Sequence, residues 1–201
     1  FADNPVVAHR GAWKTKNLPQ NSIASLKEAI NLKCTGSEFD VRITKDNVLI
    51  VTHDKEYNNL IIEETNYKKL AKTRLFNGEK LPTLKEYLLA GMQNNVATGL
   101  VLEIKPRATK EKNNIIVDKI LALVDELKAE NYIHSYISFS LDILKRIAEK
   151  KPTAKTQYLD GSKSPESLKE LGITGLDYII YKLKNKEQFI KEAKKIGITL
   201  N

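Results

Sequence analysis

Short apolar runs alternate with amphipathic stretches along this whole chain, and that alternation leaves few folds open. Val6–Ala8 reads as a strand, and Ile23, Leu26 and Ile30 then recur at helical spacing behind the cap candidates Asn21 and Ser22. Phe39–Ile43 and Val48–Thr52 read as strands. Thr83 and Glu86 form a capping-box pattern that opens a helix carrying Leu84, Tyr87 and Leu88, stopped near Gly91. Strand Leu100–Ile104 comes next, then a helix bearing Ile116, Ile120, Leu123, Val124 and Leu127, then strand Tyr136–Phe139. Ser140 caps a helix running toward Pro152. Lys155–Leu159 is a strand, and Ser164 with Pro165 opens a helix ended at Gly172. Tyr178–Tyr181 and Ile198–Leu200 are strands on either side of a helix with Phe189, Ile190 and Ala193 that ends at Gly197. Repeated strand–helix alternation means a parallel sheet covered by helices. The expectation is one α/β domain over residues 1–201, with a short insertion at about 55–80.

One connection breaks the alternation. Phe39–Ile43 and Val48–Thr52 are joined by too few residues for a crossover helix, so they form a hairpin. A two-residue turn at Asp46–Asn47 sets Ile43 opposite Ile50 and Asp40 opposite His53. Strand side chains alternate, so Glu38, Asp40 and His53 are then expected on one face, with Phe39, Val41 and Ile43 on the other.

Other charged residues fall at the carboxyl ends of apolar strands. His9, Arg10 and Gly11 follow the first strand, and Glu103 and Lys105 end Leu100–Ile104, two apart and on one face. In a parallel α/β barrel all strand carboxyl ends open on one mouth, where His9, Arg10, Glu38, Asp40, His53, Glu103 and Lys105 can converge. Each has a plainer reading. A histidine at a strand end is ordinarily an exposed or capping residue, two carboxylates two apart are ordinarily the wet face of an edge strand, and Arg10 can be a structural anchor. The coincidence of several such groups at strand ends is what weighs against those readings.

Three carboxylates and water suit a hard divalent ion such as Mg²⁺ or Ca²⁺. The single cysteine, Cys34, excludes an intrachain disulfide and a multi-cysteine zinc site; it follows an apolar helical stretch and reads as a small buried thiol. No two-histidine helical motif is present for zinc either. A cation polarises a phosphoryl oxygen and lowers the pKa of a hydroxyl. Arg10 and Lys105 can neutralise phosphate, and His9 and His53 can act as base and acid. The residues therefore point to metal-assisted phosphoryl chemistry.

Ala8-His9-Arg10-Gly11, then Leu18-Pro19-Gln20-Asn21-Ser22, then Gly36-Ser37-Glu38-Phe39-Asp40-Val41 resembles the opening of the glycerophosphodiester phosphodiesterase family. Thr44-Lys45-Asp46, Val51-Thr52-His53-Asp54, Leu81-Pro82-Thr83-Leu84 and Leu102-Glu103-Ile104-Lys105-Pro106 continue it in the same order and spacing. Ser138-Phe139-Ser140 and the Tyr158-Leu159 strand match its later landmarks. The resemblance implies a (β/α)8 TIM barrel of the PLC-like phosphodiesterase type. It implies His9 and His53 as the acid–base pair, Glu38, Asp40 and Glu103 as metal ligands, and Arg10 and Lys105 at the phosphate. It further implies one divalent cation, Mg²⁺ or Ca²⁺, and hydrolysis of deacylated phospholipids to glycerol phosphate and an alcohol.

Two departures stand out. Gln20 replaces the family's usual glutamate, and after Gly197-Ile198-Thr199-Leu200-Asn201 the family ordinarily continues with a further helix and strand. An incomplete barrel is therefore expected, with one edge of Val6–Ala8 unpaired. A barrel of the phospholipase D-like toxins is similar but relies on a disulfide-stabilised loop, which one cysteine cannot supply. A degenerate barrel that binds glycerophosphodiesters or lipid headgroups without turnover is the alternative from another class. The formal charge of +8 suits an anionic substrate or a membrane surface, but lysines are spread among acids with no dense basic block. A small-molecule phosphodiester is thus the expected partner, with no nucleic acid. No apolar run approaches the roughly 18–20 residues that span a bilayer, so no stable membrane insertion is expected. The chain opens at Phe1 rather than a methionine, which leaves export open, with an exported or periplasmic place slightly favoured over the cytoplasm. His134 lies outside every matched motif and reads as a surface residue.

Overall fold

The computed structural model describes residues 4–178 and 187–200. The chain divides into two compact units: Phe1–Glu103 with Asp118–His134, and Ile104–Val117 with Ser135–Asn201.

In the first unit, β1 (Asn4–Ala8) pairs parallel with β2 (Cys34–Ile43), and helix α1 (Ile23–Asn31) crosses between them. Among the described residues β1 stands at the end of the strand order, the place expected for Val6–Ala8. β2 begins five residues earlier than its apolar run suggests, because Cys34 is buried with Ala8 and Ala29. β3 (Leu49–Val51) pairs antiparallel with the end of β2, as the short connection requires. The register differs from the expected one. Ile43 faces Leu49 and Val41 faces Val51. The turn holds three residues, not two: Thr44 N–H donates to Val48 O and Asn47 N–H donates to Thr44 O, with Asn47 at φ 63°. An asparagine in the left-handed region closes this three-residue loop and shifts the pairing by one.

The segment expected as an insertion is folded. β4 (Glu56–Tyr57) and β5 (Leu60–Ile61) form a small hairpin, followed by a 3₁₀ turn over Ile62–Glu64 and by α2 (Tyr67–Leu70). Ile62 and Leu70 are fully buried against Ile50 and Leu81. α3 (Leu84–Met92) has the expected capping box of Thr83 and Glu86. It lays Tyr87 on Phe39, ring centroids 4.5 Å apart, so the odd-numbered face of β2 is packed away from the site. β6 (Gly99–Ile104) follows β2 in the strand order.

α4 (Lys110–Leu127) buries Ile116, Ile120 and Val124 at helical spacing. In the second unit β7 (Ile133–Ser138), β8 (Thr156–Tyr158), β9 (Gly175–Leu176) and β10 (Thr199–Leu200) pair parallel in that order. α5 (Leu141–Lys150), α6 (Pro165–Glu170) and α7 (Glu187–Ile196) alternate with them. Gly172 and Gly197 follow α6 and α7 with positive φ, as their placement at helix ends predicts. The expected strand Tyr178–Tyr181 falls on residues of which 179–181 lie outside the described ones. The strand described there is Gly175–Leu176, too short and too glycine-rich to show as an apolar run.

Candidate active site

The carboxyl end of β1 runs into a tight turn made by His9, Arg10 and Gly11. Arg10 has φ 58° and Gly11 φ 79°. Gly11 N–H donates to Ala8 O over 3.1 Å and to Glu38 O over 3.2 Å. Any side chain at Gly11 would bring a Cβ to 2.7 Å from the backbone carbon of Ser25, so the turn admits glycine alone.

That turn sits over β2. Arg10 N–H donates to Glu38 Oε2 over 2.9 Å, and its Nε lies 3.5 Å from Asp40 Oδ2. His9 Nε2 is 3.8 Å from the same Glu38 oxygen, with the imidazole 69 % exposed. Glu38, Asp40 and Glu103 are all buried, and one carboxylate oxygen from each lies within 4.8 Å of the others. The structure thus brings together the three carboxylates, His9 and Arg10.

His53 is not carried to the carboxylates by the strand register expected. The one-residue shift in register sets Thr52, not His53, opposite Asp40, with Thr52 N–H donating to Asp40 O over 2.9 Å. Strand alternation therefore does not place His53 on the Glu38 face. It follows the end of β3, where Arg42 Nε donates to its carbonyl over 2.8 Å and its Nδ1 meets Asp54 Oδ1 at 2.8 Å. Lys105 is buried directly after β6 and belongs to the second unit, where Ser138 Oγ donates to the carbonyl of Ile104 over 2.8 Å. β7 ends at that serine, leaving Phe139 outside the strand and 52 % exposed.

Sequence reading gave no site role to two residues. Asn21 and Ser22 were both cap candidates for α1, and Ser22 fills the role, in a capping box with Ser25. Asn21 Nδ2 instead donates to Asp40 Oδ2 over 2.8 Å, and Asp40 N–H donates to Asn21 Oδ1 over 3.1 Å. Arg42 is the other. Burial lowers its guanidinium pKa, while Asp40, Glu63, Asp54 and Glu103 act in the opposite sense, which puts this cation among the acids. It stands two residues beyond Asp40 on β2, so the alternation that picked Glu38 and Asp40 would have found it too. Gln20 accepts from Arg10 Nη1 over 2.7 Å, so the amide keeps a contact to the arginine.

A cluster of buried carboxylate oxygens with no sulfur ligand could hold one hard divalent cation. The fit is chemical: buried like charges this close demand compensation.

Parallel strands alternating with helices, and a charged cluster at their carboxyl ends, define a TIM-barrel-like α/β protein with an acidic candidate metal site. Residues 9–201 match the model of the glycerophosphoryl diester phosphodiesterase family, and the chain belongs to that family. A glycerophosphodiester phosphodiesterase of Parabacteroides distasonis is 40 % identical, with a TM-score of 0.94 over 100 % of this chain and 83 % of that one. A glycerophosphodiester phosphodiesterase of Caldanaerobacter subterraneus subsp. tengcongensis is 30 % identical over 71 % of this chain and 62 % of its own length. A phosphodiesterase of Oleispira antarctica in complex with the product sn-glycerol-3-phosphate is 21 % identical, with a TM-score of 0.81 over 98 % of this chain and 82 % of that one. The chain spans 62 %, 40 % and 44 % of the length of three curated relatives that it matches. Among the described residues no helix is long and apolar enough to cross a membrane.

Proposed function

We propose that this chain hydrolyses glycerophosphodiesters, the deacylated phospholipids, to glycerol phosphate and an alcohol, using a divalent cation held by Glu38, Asp40 and Glu103. The observation that carries the reading is the set of three buried carboxylates whose oxygens fall within 4.8 Å. All-oxygen, anionic donors favour Mg²⁺ or Ca²⁺ over softer metals. When bound, such an ion supplies Lewis acidity toward a phosphoryl oxygen and a neighbouring hydroxyl. The substrate class is supported by the family and by the Oleispira phosphodiesterase, whose product is sn-glycerol-3-phosphate.

The protein's own groups supply the rest. The Arg10 guanidinium and the Lys105 ammonium bind phosphate oxygens and offset their charge. His9 and His53 form the acid–base pair. One takes the proton of the substrate's neighbouring glycerol hydroxyl as that oxygen attacks phosphorus, and the other protonates the departing alcohol oxygen. Water then completes hydrolysis. With Nδ1–H donated to Asp54, His53 presents Nε2 for proton transfer.

The test is release of glycerol phosphate from glycerophosphocholine and glycerophosphoethanolamine, with and without chelator. Turnover should vanish on chelation and return with Mg²⁺ or Ca²⁺. Full activity after exhaustive chelation and dialysis would rule out the metal assignment. Absence of turnover with either ion, while substrate still binds, would favour a barrel that holds glycerophosphodiesters without cleaving them.

A further inference from the structure

The folded segment after β5 ends in a second hairpin. Arg74 and Lys80 pair as an antiparallel bridge, Leu75 N–H donates to Glu79 O, and Gly78 N–H donates to Leu75 O, each over 2.8 Å. Gly78, at φ 87°, closes the turn as Asn47 closes the earlier one. The turn is stiff. Asn77 Nδ2 donates to Glu79 Oε1 over 2.6 Å, and the Glu79 carboxylate accepts the amides of Ile23 and Ala24 at the start of α1, over 3.0 and 3.2 Å. At the tip of this clamped turn stands Phe76, 70 % exposed.

One exposed apolar side chain is ordinary by itself. Its setting is less so. Turn positions favour small polar residues, which give the bend without exposing an aromatic ring to water. The residues leading to the turn carry Lys68, Lys69, Lys72 and Arg74, all exposed, and no acidic residue occurs between Glu64 and Glu79. Lys80 and Glu79 do not alter this balance, since Lys80 pairs with Glu86 and Glu79 is engaged with α1. A clamped aromatic tip in the same segment as four exposed cations is the pattern that suits a surface both anionic and apolar just beneath.

We propose that Phe76, with Lys68, Lys69, Lys72 and Arg74, forms an interfacial anchor that docks the protein on anionic phospholipid bilayers. The ring enters the headgroup–acyl boundary while the lysines and arginine meet phosphate headgroups. Neither element suffices alone. The cations supply attraction that salt screens, and the ring supplies the part that salt does not remove. Because the segment is already ordered, docking requires no folding step. The inference stands apart from the proposed hydrolysis, because it concerns where the protein sits and not what it cleaves.

Co-sedimentation with vesicles of phosphatidylcholine, with and without phosphatidylglycerol, tests it on the whole chain. Binding is expected only to the vesicles containing phosphatidylglycerol. Phe76→Ser should lower partitioning about tenfold or more, the value of burying one aromatic side chain. Lys72→Gln with Arg74→Gln should lower it by at least about tenfold, from the electrostatic gain per cation. Both lie on exposed residues, and unchanged circular dichroism certifies folding. A heparin column separates the two contributions: the double substitution should weaken retention and Phe76→Ser should not. Wild-type protein left in the supernatant with phosphatidylglycerol at low salt overturns the proposal. So does equal vesicle binding by wild type and Phe76→Ser, which would make the patch a plain polyanion site such as one for nucleic acid.

Discussion

Asn21 and Asp40 hold one another by two hydrogen bonds, side-chain amide to carboxylate over 2.8 Å and backbone amide to side-chain carbonyl over 3.1 Å. An amide is suited to this, since it donates to the carboxylate and accepts from the N–H without adding charge. The grip fixes the orientation of a fully buried acid in the candidate metal site. Asn21 has φ 57°, which asparagine tolerates and glycine adopts freely, so Asn21→Gly removes the amide and leaves the backbone unstrained. Mg²⁺ or Ca²⁺ affinity, read by calorimetric titration, should fall about 10–100-fold, the usual loss for a group that orients a ligand. An unchanged affinity would assign the pair to folding alone.

The histidines are tested by turnover. His9→Ala and His53→Ala should each lower kcat about 10²–10⁴-fold, the range for general acid–base groups. Binding of glycerol phosphate should survive in both, since Arg10 remains beside Asp40. His134 is the second residue of β7, half-buried beside Gly99, and has no role in the proposed chemistry, so His134→Ala should leave kcat within a few-fold. Near wild-type turnover in either of the first two variants would remove that histidine from the acid–base pair.

Gln20 marks the departure from the family's usual glutamate. Its Oε1 accepts from Arg10 Nη1 over 2.7 Å and the residue is exposed. Gln20→Glu would turn this into an exposed ion pair, worth up to about 1 kcal/mol. Activity should therefore change by no more than about fivefold. A gain of a hundredfold or more, measured under the same metal concentration, would show the natural chain to be a weakened enzyme.

Much of this was legible in the sequence because it depended on local pattern. The capping box of Thr83 and Glu86 was visible as spacing, and so was the packed Phe39 face of β2. What escaped depended on one backbone angle or on a long-range contact. Asn47 in the left-handed region adds a residue to the turn, and that alone changes which residue faces Asp40. Asn21 looked like a cap because caps and carboxylate-binding amides use the same residue types. Its partner lies 19 residues away, on a strand brought near only by the β1–α1–β2 crossover. Glu79 capping the amides of Ile23 and Ala24 is invisible for the same reason, across more than 50 residues.

The segment at about 55–80 read as a short insertion in the barrel. Its packing predicts something else. Ile62 and Leu70 are fully buried against Ile50 and Leu81, so the segment is part of the cooperative core. Ile62→Ala or Leu70→Ala should each cost about 2–5 kcal/mol in chemical denaturation. A segment that opens independently would give far smaller losses, with early proteolytic nicking near Lys72 in the wild type.

The last prediction concerns pH and lies in the second unit. Asp177 follows β9, where its amide donates to Tyr158 O over 3.0 Å, and burial raises its carboxyl pKa. A raised value means that the folded protein keeps this proton to higher pH than the unfolded chain does. Between the unfolded and folded pKa values the folded state therefore holds more protons, and stability falls as pH rises through that window. Above the window the loss is complete, and below the unfolded value, about 3.9 for aspartate, it is absent. Asp177→Asn has nearly the same shape and no charge at any pH. Its melting temperature should exceed that of wild type at neutral pH, and the difference should close as the pH is lowered toward and below the ordinary aspartate value. Calorimetric scans of both proteins across that range decide the matter, since other titrating carboxylates are common to the two and cancel. A variant less stable than wild type at neutral pH would mean that the Asp177 carboxylate has a favourable partner that outweighs its burial.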